Sequence, residues 1–271
     1  MSRIQNILEK AERDGSVRRA RPMTETAAAT ALAFDVSGDA SPVRSDSLPV
    51  AASPAPRVVK HARFDPNLVA VLAPGAPAAE QYRALRTRIA RADLGSAMDV
   101  ILVTSPGRGE GKSLTAANLA LTMAQDFQTR VCVVDANLRH PSLHGLLGVS
   151  DTPGLADVLS GSAALADAVV RFEDQSVAFL PAGQPPSHPA EMLGSTAMRR
   201  TLEILRTQFD RIVIDAPSAG PLADIGILAP MVDGVLLVVR AGVTTKPSIQ
   251  EAVATIASDK LLGVVLNESV A

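Results

Sequence analysis

The strongest chemical signal in the sequence is a glycine-rich segment, TSPGRGEGKS, at residues 104–113. Glycine lets successive backbone N–H groups point inward at phosphate oxygens, because no side chain obstructs them. The helix predicted to begin at about Lys112 adds its positive N-terminal end. We therefore predict a nucleotide-binding loop formed by Gly107, Arg108, Gly109, Glu110, Gly111, Lys112, Ser113 and Leu114.

Two side chains of this loop carry chemistry of their own. Lys112 is predicted to reach the β and γ phosphates of ATP, and the Ser113 hydroxyl to ligate Mg²⁺. The strict pattern has glycine where this chain has Pro106, so the loop is a variant. The alternative is that the glycines only form a turn. The strand predicted before the loop and the helix predicted after it favour the phosphate site.

Two aspartates add acidic groups at the ends of apolar runs. Asp135 closes the run VCVVD, and Asp215 closes the run IVID. At the carboxyl end of a buried parallel strand, a carboxylate can hold the water shell of Mg²⁺. Either acid alone could be a helix cap or a turn residue. Together with the loop, they predict a magnesium–nucleotide site that contains Lys112, Asp135 and Asp215.

Short apolar runs alternate with helical periods through most of the chain. Such runs predict a mostly parallel central sheet with helices on both faces, which is the α/β architecture of P-loop NTPases. The predicted strands lie at residues 100–104, 131–135, 177–180, 212–215, 235–239 and 262–266. The predicted helices lie at residues 78–93, 112–125, 197–208, 222–231 and 248–258.

The first 65 residues differ from the rest. Residues 2–13 can form a short amphipathic helix, which either docks on a partner or stays solvated. Residues 14–56 are rich in Ala, Ser and Pro without a sustained period, which predicts a flexible linker. We therefore predict two parts: residues 1–65 as helix and linker, and residues 66–271 as the ATP-binding domain.

Composition argues against several classes of protein. A net charge of −2 gives no reason to expect nucleic-acid binding. The single cysteine, Cys132, excludes a disulfide framework, and its apolar neighbours predict a buried thiol. No apolar run approaches the roughly 20 residues that span a bilayer, and the N-terminus lacks an apolar signal segment. We therefore expect a soluble cytoplasmic protein.

Taken in order, five segments resemble the motifs of the bacterial tyrosine kinases of capsule and exopolysaccharide synthesis. They are EQYRALRT at 80–87, GEGKS at 109–113, VVDANLRHP at 133–141, the proline-rich stretch at 180–193 and DRIVIDAP at 210–217. The resemblance implies transfer of the ATP γ-phosphate to tyrosine hydroxyls. It implies that Lys112 and Ser113 hold ATP and Mg²⁺, that Asp135 is the base and a metal ligand, and that Asp215 supports the metal.

The resemblance also implies partners. Family members form rings in which the first of these motifs packs on the next subunit, which would assign Glu80, Arg83 and Arg86 to an interface. The alternative for these residues is a solvated helix face with weak ion pairs. The family's activator is a membrane polysaccharide co-polymerase, and its cytoplasmic tail would recruit the kinase to the inner face of the membrane.

Two departures from the family pattern affect the expected activity. The sequence has one tyrosine, Tyr82, instead of a C-terminal tyrosine cluster, so the acceptor is expected on another protein. Tyr82 lies within the helix predicted at residues 78–93, and its side chain is expected to have a packing role rather than to accept phosphate. Asn137 stands where the family commonly has a second aspartate, which predicts weaker Mg²⁺ binding or lower turnover.

Three functions follow from these features. The first is a kinase that acts in trans on a tyrosine-bearing protein. The second is an ATP-binding regulatory subunit of a co-polymerase, with weak catalysis or none. The third is a positioning ATPase, which is disfavoured because Gly107 stands where those proteins have an extra lysine. Arg139, beside the phosphate site, either touches nucleotide or a partner or forms a structural ion pair.

Overall fold

The computed structural model describes residues 57–60, 62–92, 98–126, 128–219 and 224–268. The helix predicted at residues 2–13 and the linker at 14–56 lie outside the described residues. Among the residues described, no helix is both long and apolar enough to cross a membrane.

A twisted sheet of eight strands forms the centre of the domain, in the order β1-β4-β5-β3-β6-β2-β7-β8. Every neighbouring pair is parallel except β4 and β5. The strands are β1 (Arg57–Val59), β2 (Val100–Thr104), β3 (Val131–Asp135), β4 (Val170–Phe172), β5 (Gln175–Leu180), β6 (Arg211–Asp215), β7 (Gly234–Arg240) and β8 (Leu261–Asn267). The predicted mostly parallel sheet is confirmed.

Helices cover both faces of this sheet. They are α1 (Val69–Leu72), α2 (Pro77–Ala92), α3 (Lys112–Met123), α4 (Leu143–Leu147), α5 (Leu155–Ser160), α6 (Leu165–Ala168), α7 (Pro189–Leu193), α8 (Thr196–Gln208), α9 (Asp224–Leu228) and α10 (Lys246–Thr255). A 3₁₀ turn, Ala229–Met231, follows α9. Two apolar cores result, one on each face, because β2 and β3 are buried on both sides.

The sheet begins before the boundary that the sequence predicted at residue 66. Strand β1 pairs in parallel with β4, and the Phe64 ring lies 5.6 Å from the Phe172 ring. Asp65 also donates its backbone N–H to the Leu146 carbonyl. Residues 57–60 and 62–65 therefore belong to the sheet domain and not to the linker. Three residues are too few to produce a readable period, which is why β1 was not predicted.

Candidate functional site

The glycine-rich loop joins β2 to α3, as predicted. Gly109 and Gly111 have φ angles of 75° and 92°, in the left-handed region that glycine adopts without strain. Helix α3 begins directly after them at Lys112, with Gly111 as its N-cap residue. Ser105 Oγ donates to the Gly107 carbonyl at 2.6 Å, which steadies the first half of the loop. The loop thus has the backbone shape that a phosphate cradle requires.

Lys112, Ser113 and Asp215 meet behind the loop. The Ser113 hydroxyl donates to Asp215 Oδ2 at 2.5 Å, and Lys112 Nζ lies 3.4 Å from Asp215 Oδ1. Lys112 Nζ also donates to Ser113 Oγ at 3.0 Å. The Asp215 side chain is fully buried, and the Lys112 side chain is 11 % exposed. The structure thus brings together three of the residues that the sequence predicts for the nucleotide and metal site.

Asp135 stands beside Asp215, because β3 and β6 pair these two residues in register. Its oxygens accept backbone N–H groups from Asn137, Ser142 and Leu143, each at 3.1 Å. Burial, and then the charge of Asp215, raise the pKa of Asp135 to about 8. Burial also raises the pKa of Asp215, while Lys112 and the Ser113 hydroxyl oppose that shift. The two carboxylates therefore form a buried acidic pair that a cation would stabilise.

A cleft of about 580 Å³ opens in front of the loop. Its lining residues are Arg108, Gly109, Gly111, Lys112, Ser113, Leu114, Asn137, Arg139, His140, Ser142, Pro217 and Ser218. The donor set fits ATP and Mg²⁺: a glycine loop and a lysine for phosphate, with a hydroxyl and a carboxylate as hard oxygen ligands. Mg²⁺ generally takes few protein ligands and completes its shell with phosphate and water, so this small set is sufficient.

Glu110 differs from its neighbours in the loop. Its Oε1 accepts the Thr244 hydroxyl at 2.7 Å, and its residue is 6 % exposed. Its carbonyl accepts the Asn267 side-chain Nδ2 at 3.0 Å. Glu110 therefore links the loop to the ends of β7 and β8 instead of lining the cleft. Sequence reasoning missed Thr244 and Asn267, since their only signal is a place near the carboxyl ends of predicted strands.

The turn after β3 carries Asn137 and Arg139. Asn137 Nδ2 donates to the His140 carbonyl at 2.6 Å, so its amide closes the turn. Arg139 binds the buried carboxylate of Asp224 through Nε at 2.8 Å and Nη2 at 3.2 Å. This supports the ion-pair alternative for Arg139, while the same side chain also lines the cleft. Asp224 was not singled out from the sequence.

The predicted interface residues all lie on α2. Arg83 pairs with Glu80 at 2.6 Å and also donates to the Pro74 carbonyl at 2.7 Å. Arg86 donates to the Thr122 carbonyl in the last turn of α3 at 2.8 Å. These contacts hold α2 on its own subunit, and the assignment to an interface stays a prediction.

Tyr82, also on α2, faces α3. Burial raises the pKa of its hydroxyl, and hydrogen bonds with the side chains of Thr115 and Asn118 oppose that shift. The side chain is half-buried beside Thr115 of α3, which agrees with the packing role expected for this tyrosine.

Comparison with known proteins decides the family. No family model matches the chain. Tyrosine-protein kinase YwqD of Bacillus subtilis (strain 168) is 36 % identical over 208 residues, which cover 76 % of this chain and 87 % of YwqD. The chain belongs to the bacterial tyrosine kinases. The kinase is also similar to the succinoglycan biosynthesis transport protein ExoP of Rhizobium meliloti (strain 1021), with 32 % identity over 74 % of this chain and 26 % of ExoP.

Solved structures agree with this assignment. The kinase domain of Escherichia coli tyrosine kinase ETK superposes with a TM-score of 0.73 at 28 % identity, over 78 % of this chain and 83 % of that domain. The resemblance stated from the five motifs is confirmed, as is the P-loop α/β fold. ATP-dependent phosphorylation is the activity of this family, so the kinase function ranks above the positioning ATPase.

Proposed function

We propose that this protein is an ATP-dependent protein-tyrosine kinase of polysaccharide assembly that phosphorylates a tyrosine on another protein. The observation that carries the proposal is the contact of Lys112, Ser113 and Asp215 at the base of the cleft. These are the groups that ATP and Mg²⁺ require, and they come from the first turn of α3 and the end of β6. Membership in the bacterial tyrosine kinases supports the choice of tyrosine as the acceptor.

Each residue has one task in this proposal. The loop from Gly107 to Leu114 cradles the phosphates with its backbone N–H groups, and Lys112 neutralises negative charge on the β and γ phosphates. The Ser113 hydroxyl and Asp215 hold Mg²⁺, which supplies charge neutralisation at the transferring group when it is bound. Ser113 would then exchange its hydrogen bond to Asp215 for a bond to the metal.

Asp135 is the proposed base and an additional metal-supporting carboxylate. It lies in register with Asp215, so both carboxylates end on the same edge of the sheet as the loop. Its present hydrogen bonds all come from backbone N–H groups of the segment 137–143. Oδ1 accepts one of these hydrogen bonds and Oδ2 accepts two, so Oδ1 keeps a lone pair that can accept the proton of a tyrosine hydroxyl. Asp135→Asn should therefore reduce phosphoryl transfer more than ATP binding.

Transfer in trans is proposed from the state of Tyr82, the one tyrosine in the sequence. Its side chain is half-buried beside Thr115 of α3 and is not among the residues that line the cleft. A hydroxyl at that place is poorly positioned for attack, because phosphoryl transfer depends mainly on alignment. The acceptor is therefore a tyrosine of another protein.

The second candidate function is an ATP-binding regulatory subunit with weak catalysis or none. Asn137 favours it, because this amide contributes no negative charge near the metal and already donates to the His140 carbonyl. Both functions use the same nucleotide residues. They differ in whether bound ATP is consumed when a tyrosine-bearing protein is present.

The proposed partners follow from the family. A membrane polysaccharide co-polymerase is the proposed activator, which would recruit the kinase from the cytoplasm to the inner face of the membrane. In the succinoglycan biosynthesis transport protein ExoP, the matched region is only part of a longer chain. Deleting residues 1–20 should weaken co-purification with such a partner if the N-terminal segment docks there. A homo-oligomeric ring is proposed through Glu80, Arg83 and Arg86, and an unchanged oligomer mass in Arg83→Ala/Arg86→Ala would contradict it.

The test combines binding and transfer. Calorimetry with ATP-Mg should give saturable binding for the natural protein and none for Lys112→Met. The same two proteins are then incubated with γ-labelled ATP, the cytoplasmic tail of a co-polymerase and tyrosine-bearing candidate proteins. Label on tyrosine that Lys112→Met abolishes supports the kinase. Tight ATP binding without label, across several candidate acceptors, supports the regulatory subunit instead.

A further inference from the structure

Arg139 lies on the wall of the nucleotide cleft, yet it has no task in the proposed function. Its guanidinium forms a two-point ion pair with Asp224, through Nε at 2.8 Å and Nη2 at 3.2 Å. The Asp224 side chain is fully buried, whereas the Arg139 side chain is 30 % exposed. The pair therefore presents its positive end to the cleft and keeps its negative end inside the protein.

The Arg139 backbone is held as firmly as its side chain. The turn that carries it is closed by two hydrogen bonds, from His140 N to the Asn137 carbonyl at 3.1 Å and from Asn137 Nδ2 to the His140 carbonyl at 2.6 Å. Asn137 N also donates to the Asp135 carboxylate. Binding a ligand through Arg139 would thus cost little conformational entropy, because the side chain is already ordered.

The guanidinium has donor capacity left after this pairing. Arginine carries five N–H donors in a planar fork, and the contacts to Asp224 use one on Nε and one on Nη2. Across the described parts of the chain, this side chain donates to no group other than Asp224. Planar guanidinium donors match phosphate oxygens well and form short, charge-assisted hydrogen bonds with them.

The position of Arg139 indicates a contact with the terminal phosphates of the nucleotide. Ser142, three residues further along the same turn, donates its hydroxyl to Ser113 Oγ at 2.9 Å. This turn therefore borders the predicted magnesium ligand, where the β and γ phosphates must lie. The basic residues of the cleft wall are Arg108, Lys112, Arg139 and His140, and the described lining contains no carboxylate.

We infer that Arg139 is a second cationic contact to the γ-phosphate of ATP, and that Asp224 is the positioning residue that aims it. The inference rests on the proposed ATP–Mg site and deepens it. A γ-phosphate contact would make the cleft distinguish ATP from ADP, because ADP lacks the group that Arg139 touches. If the Arg139–Asp224 ion pair were only structural, Arg139→Ala would change the affinities for ATP and ADP by the same factor.

The chain offers a matched control. Arg206 forms a two-point pair with Asp233, at 2.9 Å and 2.8 Å, and its side chain is also 30 % exposed. Arg206 lies on α8 and Asp233 directly before β7, and neither residue lines the nucleotide cleft. Arg206→Ala thus removes a two-point ion pair of an equally exposed arginine without touching the proposed site; its partner Asp233 is 24 % exposed, and Arg206 also lies 3.7 Å from Asp99.

The experiment measures the affinities for ATP-Mg and ADP-Mg by calorimetry, with no acceptor protein present. Arg139→Ala should lower the ratio of ATP to ADP affinity by about tenfold, as expected for the loss of a hydrogen bond to a charged group. Asp224→Asn should lower the ratio in the same direction by a smaller factor. Arg206→Ala should leave it unchanged. An unchanged ratio in Arg139→Ala would overturn the inference, whether or not both affinities fall.

If Arg139→Ala does not fold because Asp224 is left buried and unpaired, the double variant Arg139→Ala/Asp224→Asn removes the buried charge and is tested for the same ratio. If the natural protein binds no ATP, this inference and the proposed function both fail. If it binds ATP with the predicted Arg139 effect but labels no protein, only the kinase proposal fails.

Discussion

Replacing the two left-handed glycines of the loop tests how the phosphate cradle is supported. Gly109 and Gly111 have similar φ angles, 75° and 92°, so alanine carries a similar backbone cost at both positions, about 1–2 kcal/mol. Their surroundings differ. An added Cβ at Gly109 meets nothing within 4 Å, whereas one at Gly111 clashes with Asn267 Nδ2. Only Gly111→Ala therefore displaces a neighbouring side chain.

The displaced side chain is the one that supports the loop. Asn267 Nδ2 donates to the Glu110 carbonyl at 3.0 Å, and that bond must break when Cβ takes its place. Losing it costs about 1 kcal/mol. Gly111→Ala should therefore destabilise the protein by about 2–3 kcal/mol, and Gly109→Ala by about 1–2 kcal/mol. In a domain of this size each kcal/mol shifts Tm by about 2–4 °C, so the two Tm values should differ by at least 2 °C or so.

Thermal unfolding without nucleotide is the assay, because bound ligand would shift Tm by itself. Asn267→Ala alone should cost about 1 kcal/mol. The double variant Gly111→Ala/Asn267→Ala should be no less stable than Gly111→Ala, since both changes remove the same hydrogen bond. Equal Tm values for the two glycine variants, or strictly additive losses in the double variant, would refute the reasoning that Asn267 braces the loop.

Three other predictions concern single groups. Cys132 is fully buried with its pKa raised to about 12 by burial, so a thiol reagent at neutral pH should label the unfolded protein and leave the native protein unlabelled. A hydrogen bond from Arg130 lowers the pKa of Asp210 from 3.8 to about 2, so this group adds stability above pH 3.8 that is lost as the pH falls to about 2. Asp210→Asn should accordingly lower Tm slightly at pH 7 and leave it unchanged at pH 2, and a larger difference in acid would contradict this sign. Asn137→Asp should tighten Mg²⁺ binding or raise turnover. The substitution also removes the hydrogen bond from Asn137 Nδ2 to the His140 carbonyl, and a lower Tm would reveal that the turn has opened as a result.

Much of the sheet could be predicted because its central strands are continuous apolar runs. The strand predicted at residues 131–135 and the one at 100–104 have these limits in the structure. The strands at one side of the sheet, β1 and β4, were harder to predict. β1 and β4 have three residues each, and β4 runs antiparallel to β5, which the alternation of strands and helices did not suggest. The short helices α4 to α7 were missed for the same reason, since four to six residues do not establish a helical period.

The nucleotide site was predictable where one segment carries the chemistry. Lys112 and Ser113 are adjacent in the sequence, and Asp215 ends a readable strand, so their meeting followed from the topology of parallel sheets. The supporting residues were not predictable in this way. Asn267 reaches Glu110 across 157 positions of sequence, and Asp224 reaches Arg139 across 85. Such pairs depend on how loops meet after folding, and neither partner has a composition that indicates the contact.

Transfer of phosphate to another protein is the central claim, and the variant Tyr82→Phe tests it most directly. The Tyr82→Phe variant contains no tyrosine, so any phosphotyrosine must lie on the added acceptor. Tyr82→Phe is incubated with ATP-Mg, the co-polymerase tail and a tyrosine-bearing protein, beside Tyr82→Phe/Lys112→Met, and phosphotyrosine is measured by mass spectrometry. We expect phosphotyrosine on the acceptor with the first protein and none with the second. ATP binding without phosphotyrosine on any acceptor, or equal phosphotyrosine with both proteins, would contradict the account.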